Sequence, residues 1–153
     1  MGAAFLLTGM LIFAQPQAGD DLTVLGTHFY VDDLRDGSVT ESARVPLRPI
    51  TACYRWRIDV SPQDRTIAVR EVFRLPQAAP EWGIQQSPER EFTAVSQDRV
   101  SAVTEFQAPL SEGSFGHGWC VAQGDPAGAH VMRIYVGDRL IHSFEFQVEP
   151  ETN

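Results

Sequence analysis

The sequence predicts an all-β protein: an antiparallel β-sandwich of about seven or eight strands, with no long helix between residues 19 and 153. Three observations lead there. Several stretches alternate apolar and polar residues with a period of two, which is the pattern of a strand with one buried face. Twelve glycines and ten prolines separate these stretches with turns. No segment sustains the apolar repeat of a long amphipathic helix.

The first element stands apart. An apolar run from Ala3 to Ala14 precedes a polar, acidic stretch. As a helix it would rise about 18 Å at roughly 1.5 Å per residue, short of the ~30 Å of a bilayer core. The length suits the apolar part of a secretory signal, with Ala14 or Ala18 as cleavage points, although no Lys or Arg precedes the run. Residues 1–18 are therefore read as a signal peptide or N-terminal hydrophobic segment, and residues 19–153 as a single domain. Export to the periplasm or medium is expected, with no membrane span in the mature chain. The alternatives are an uncleaved segment that tethers the protein to the membrane, or a buried N-terminal strand. No cysteine lies near the run, so a lipid on an N-terminal cysteine is excluded.

The strands follow in order. Leu22 to Asp32 forms the first. In ITACYRWRIDV, residues Ile50, Ala52, Tyr54, Trp56, Ile58 and Val60 share an apolar face, with Arg55, Arg57 and Asp59 opposite. After SPQDR, residues Ile67, Val69, Phe73 and Leu75 face one way and Arg70 and Arg74 the other, so the two segments read as a hairpin. Glu91 to Val95 and Val100 to Ala108 form two more, although QDRVSAVTEF also fits a short helix. PQAAPEWGIQQSPE reads as a long, mobile loop. Phe115 to Ala122 forms another strand. Finally Met132, Ile134 and Val136 share a face, Gly137 and Asp138 turn the chain, and Leu140, Phe144, Phe146 and Val148 continue that face. Matching those faces calls for a hairpin loop of three or more residues.

Composition narrows the function. With 43% hydrophobic residues, 21% charged residues and a formal charge of -8, the chain has a real core and no surplus of cations for nucleic acid. All twelve cations are Arg, which excludes lysine Schiff-base chemistry. Cys53 and Cys120 are the only cysteines, and in an exported chain they suggest one disulfide worth about 4 kcal/mol, the alternative being two buried thiols.

The strand spacing and the final GAHVMRIYVGDRLIHSFEFQV hairpin resemble the immunoglobulin-like and fibronectin type III-like sandwiches, and the small exported sandwich proteins of bacteria, over roughly residues 22 to 149. The resemblance implies a fold and no residue-level function. One departure matters. Trp56 lies three residues after Cys53 and on the opposite face, and Cys120 points away from Trp119 and Val121. Both cysteines thus sit on the less apolar side of their strands, which fits a cross-strand bridge on an outer face.

Four chemical readings remain. His117, His130, Met132 and His142 have the donor types of a copper or zinc site. Pairing the last strands by their faces sets His117 opposite Ile134, with His142 beyond it and the backbones ~9.6 Å apart, so no metal is the primary expectation. Glu71 falls on an apolar face roughly opposite Trp56, where a buried carboxylate would suit the acid of a hydrolase. A paired or exposed Glu71 would dismiss that role. Arg55, Arg57, Arg70 and Arg74 gather on one face of the presumed hairpin, where like charges call for an acidic neighbour: Glu145 and Glu149 of this chain, or an anionic ligand or partner. Trp82 either stacks on a ligand or caps the core. The reading that results is an exported, non-catalytic binding or assembly module of the cell envelope. It needs no cofactor, and it contacts another protein or an anionic ligand through Arg55, Arg57, Arg70, Arg74 and Trp82.

Overall fold

The computed structural model describes residues 21–62, 64–83 and 91–151. The N-terminal segment 1–18 and the last part of the proline-containing loop lie outside them. The described residues contain no helix, and so none long and apolar enough to cross a membrane.

Among the described residues, ten strands form two sheets. The smaller has the order β2-β1-β4-β8, from β1 (Thr23–Asp33), β2 (Ser38–Glu41), β4 (Ala52–Ser61) and β8 (Ser114–Cys120). The larger has the order β3-β10-β9-β5-β7-β6, from β3 (Arg44–Pro46), β5 (Thr66–Arg74), β6 (Glu91–Val95), β7 (Ser101–Pro109), β9 (Gly128–Val136) and β10 (Arg139–Glu149). All pairings are antiparallel except β3 with β10. The alternation read in the sequence is the packing rule: Ala52, Tyr54, Trp56, Ile58 and Val60 of β4 face Ile67, Val69 and Phe73 of β5 and Met132, Ile134 and Val136 of β9, all buried in one core. Rings of Phe29, Tyr54, Phe73 and Phe146 pack against one another through its centre, stacked, tilted or edge-on.

The sheets differ from expectation in who neighbours whom. β4 and β5 are not a hairpin: the chain crosses from one sheet to the other between them, because both apolar faces are better buried against each other than side by side. β8 pairs with β4, so His117 lies opposite Trp56 and not opposite Ile134. QDRVSAVTEF contributes to the strand β7. The β9–β10 turn has only the two residues Gly137 and Asp138, with Gly137 at φ 59°. The mismatch of faces is real, but a bulge between Leu140 and His142 absorbs it. Leu140 therefore joins the solvent face, 48% exposed. The two unforeseen strands, β2 and β3, are short edges, and every residue of β2 is exposed, so neither shows apolar alternation.

Candidate functional site

The side of the sandwich where β8 and β6 lie holds the molecule's unusual chemistry. Glu71, on the core face of β5, is fully buried. Its carboxylate accepts hydrogen bonds from Trp119 Nε1 at 2.6 Å and from Trp56 Nε1, and it faces His117 Nδ1 at 3.2 Å. These donors come from β4 and β8, so the cluster ties one sheet to the other across the core. His117 Nε2 in turn faces Glu91 of β6 at 3.6 Å. Burial pulls the His117 pKa down, but the hydrogen bond and charge of Glu71, aided by Glu91, outweigh it, and the pKa lies above its ordinary value. A buried carboxylate holding three donors is a satisfied structural group. The hydrolase role for Glu71 is therefore corrected: it has no exposed surface from which to reach a substrate.

The four arginines do not form one face. Arg55 and Arg57 project from the outer face of the smaller sheet, where Arg55 pairs with Asp32 at 3.0 Å and lies over the Tyr30 ring, and Arg57 pairs with Asp59 at 2.8 Å. Arg70 and Arg74 project from the larger sheet on the opposite side of the molecule, with Arg70 over Tyr135 and across from Glu105. The expected acidic suppliers differ too, since Glu149 binds Arg44 at 3.1 Å. Trp82 packs edge-on against Phe73 and Trp119 and donates to the Arg99 carbonyl at 3.3 Å.

The candidate metal ligands are also dispersed. His130 is buried with Nδ1 donating to the Gly128 carbonyl at 3.0 Å, Met132 is buried in the core, and the His142 ring packs on Phe144 at 4.4 Å, while His117 belongs to Glu71. Among the described residues, no group of three or more His, Cys, Asp or Glu side chains is placed to hold a metal ion.

Cys53 and Cys120 form a disulfide between directly opposed residues of β4 and β8. It sits on the outer face, as the spacing from Trp56 and Trp119 implied. Along the same edge, Gly116 and Gly118 lie opposite Arg57 and Arg55. A Cβ on Gly116 would sit 2.3 Å from the Trp56 carbonyl oxygen, and one on Gly118 3.0 Å from that of Tyr54, so the two strands approach too closely for larger residues. The result is a groove of about 470 Å³ lined by Asp32, Arg55, Glu91, His117, Gly118 and the disulfide, among others.

A two-sheet, almost wholly antiparallel sandwich of this kind has the immunoglobulin-like β-sandwich fold. An immunoglobulin-like protein (PA1606) from Pseudomonas aeruginosa is similar in structure, with a TM-score of 0.59 at 14% identity, over 86% of this chain and 99% of that one, and this likeness concerns the fold alone. No curated protein matches the chain in sequence. Residues 27–149 match the PM0630 beta sandwich domain, and the chain belongs to that family.

Proposed function

We propose that the protein is an exported, non-catalytic binding or assembly module of the cell envelope, and that it contacts another protein through the β8 and β6 side of the sandwich. One observation carries this reading: β8 is the last strand of the smaller sheet among the described residues, and the groove beside it is lined by charged side chains of both signs, Asp32, Glu91 and Arg55. Export is supported by the disulfide and by the apolar segment at residues 3–14. Of the arginines and Trp82 singled out in the sequence as partner-contacting, Arg55 alone lines that groove.

The test places a photoreactive residue at Ser114 on β8 or at Val39 on the opposite edge strand β2, and irradiates each protein in envelope extract. The Ser114 probe is expected to yield a discrete adduct with another polypeptide, and the Val39 probe is not. No adduct, or equal adducts at both positions, would refute the reading.

A further inference from the structure

The arginines sort by sheet. Among the described residues, six of them lie 2.8 to 3.1 Å from a carboxylate of this chain, and Arg99 and Arg139 donate to backbone carbonyls. The three that remain, Arg70, Arg74 and Arg133, have no ion pair among those residues, and all stand on the outer face of the larger sheet. They occupy β5 and β9, the central strands of that sheet, with two further strands on either side. Register sets their pattern. Arg133 lies opposite Val72, midway between Arg70 and Arg74, which are themselves opposite Tyr135 and Val131. The floor between the guanidinium groups is apolar: Val72, Val131, Tyr135 and the adjoining Val103 of β7 are half-buried, while Arg74 and Arg133 are exposed. Carboxylates flank this stripe without closing on it. Glu105 stands opposite Arg70 and Glu145 opposite Val131, yet neither forms an ion pair, and Asp98, whose charge feels Arg74, is bonded to the Ser96 hydroxyl and the Val100 amide. On the smaller sheet, by contrast, Arg55 and Arg57 each have a carboxylate partner. Three like charges set diagonally across two strands repel one another, and in a chain of formal charge -8 these are the ones left without a counter-ion.

We infer that this face takes an extended acidic segment of another polypeptide, laid along β5 and β9 with its carboxylates on Arg70, Arg133 and Arg74. Charge complementarity selects the occupant, and spacing selects its pattern. Arg70 and Arg74 are ~13 Å apart along β5, and Arg133 is level with the midpoint one strand over, so the three are stepped by two residues, ~6.6 Å. Carboxylates on alternate residues of an extended segment have the same step. The guanidinium fork holds a carboxylate through two parallel hydrogen bonds, and the valine floor shields one side of each pair from water. This surface lies apart from the β8 side, and neither reading depends on the other.

The probe is the acetylated, amidated heptapeptide Thr-Glu-Thr-Glu-Thr-Glu-Thr, titrated into the full chain and followed by backbone amide and arginine side-chain chemical shifts. Shifts are expected to centre on Val72, Val131 and Arg133 and to leave Arg57 on the smaller sheet unmoved. The isomer Thr-Thr-Glu-Glu-Glu-Thr-Thr has the same charge but sets no more than two carboxylates on one side, and it should bind about fivefold more weakly. Arg133→Gln should weaken binding of the first peptide by about fivefold as well, whereas Arg57→Gln should leave it unchanged. Equal affinity for the two isomers would overturn the spaced acidic segment. So would a loss from Arg57→Gln as large as that from Arg133→Gln, or the absence of any shift at millimolar peptide. The Ser114 adduct in envelope extract tests the β8 side alone, so either result can fail without the other.

Discussion

Strand β4 carries charged chemistry on both of its faces, and the two faces behave differently. Outward, Arg55 and Arg57 meet Asp32 and Asp59, and His28 bridges Asp59 and Glu41 at 3.1 and 3.0 Å. Inward, Trp56 donates to Glu71, which also holds Trp119 and His117. The outer groups are solvated, so each pair exchanges hydration for a partner at little net gain. The inner groups have no water to fall back on, and a broken contact there leaves a buried donor or charge unpaired. Position on one face or the other, one residue apart in sequence, decides whether a charge fixes the packing of two sheets or merely decorates one.

The largest effect should follow from emptying the inner site. Glu71→Ala strands two indole N–H groups and the His117 ring in the core and leaves a cavity, so a loss on the order of 3–5 kcal/mol is expected in denaturant unfolding. Glu71→Gln keeps an acceptor oxygen for one indole and should lose less. A loss from Glu71→Ala no larger than that from an outer-face substitution would erase the distinction between the two faces.

Much of this inner site was legible as composition but not as geometry. The alternation around Glu71 and Trp56 placed both on buried faces, and they do meet, yet across the core and not across a hairpin. Alternation tells a residue which way it points; it carries no information about which strand lies alongside. The same limit set His117 against Ile134, when its real neighbours are Trp56 in register and Glu71 above it. The odd spacing between His117 and Cys120, by contrast, depends only on the strand period, and the histidine indeed faces inward while the disulfide faces outward. The parity of the hairpin faces was correctly read as a mismatch, though a bulge resolves it and not a longer loop. The place of β8 beside β4 could not be read at all, because it depends on a partner strand about sixty residues earlier in the chain.

Titration sharpens the comparison at an intermediate scale. The His117 pKa is raised above 6.5 in the folded state, so its contribution to stability is complete below that value and is lost as pH rises through the raised pKa. Burial pushes Asp125 from 3.8 to about 6, against a hydrogen bond from the Ala122 amide at 2.7 Å. That shift has the same sign: stability is lost as pH rises from about 4 through about 6. His130, held below 6.5 by burial, acts oppositely and loses stability as pH falls through its lowered pKa. Relative to the unsubstituted protein, unfolding free energy measured from pH 4 to 9 should therefore fall less steeply between about 4 and 6 in Asp125→Asn, and less steeply above 6.5 in His117→Gln, where His28, also raised by Glu41 and Asp59, supplies the remaining decline. Unchanged slopes in both variants would contradict the burial and pairing assigned to these groups.

The smallest effect belongs to the outer face. Arg57 is 49% exposed and Asp59 27%, so their contact at 2.8 Å is largely screened. Arg57→Ala should cost no more than about 1 kcal/mol, and part of that cost should vanish at about 1 M salt, where the screening length falls to roughly 3 Å. Asp59 would keep His28 as a neighbour, so the substitution leaves no isolated charge behind. Any excess of the measured cost over this bound would have to come from the arginine's aliphatic stem, which a salt series separates from its charge: packing persists at high salt and the ion pair does not. A cost approaching that of Glu71→Ala, and insensitive to salt, would mean that the outer face of β4 is covered by protein in solution, because only a partner that excludes water makes such an ion pair matter.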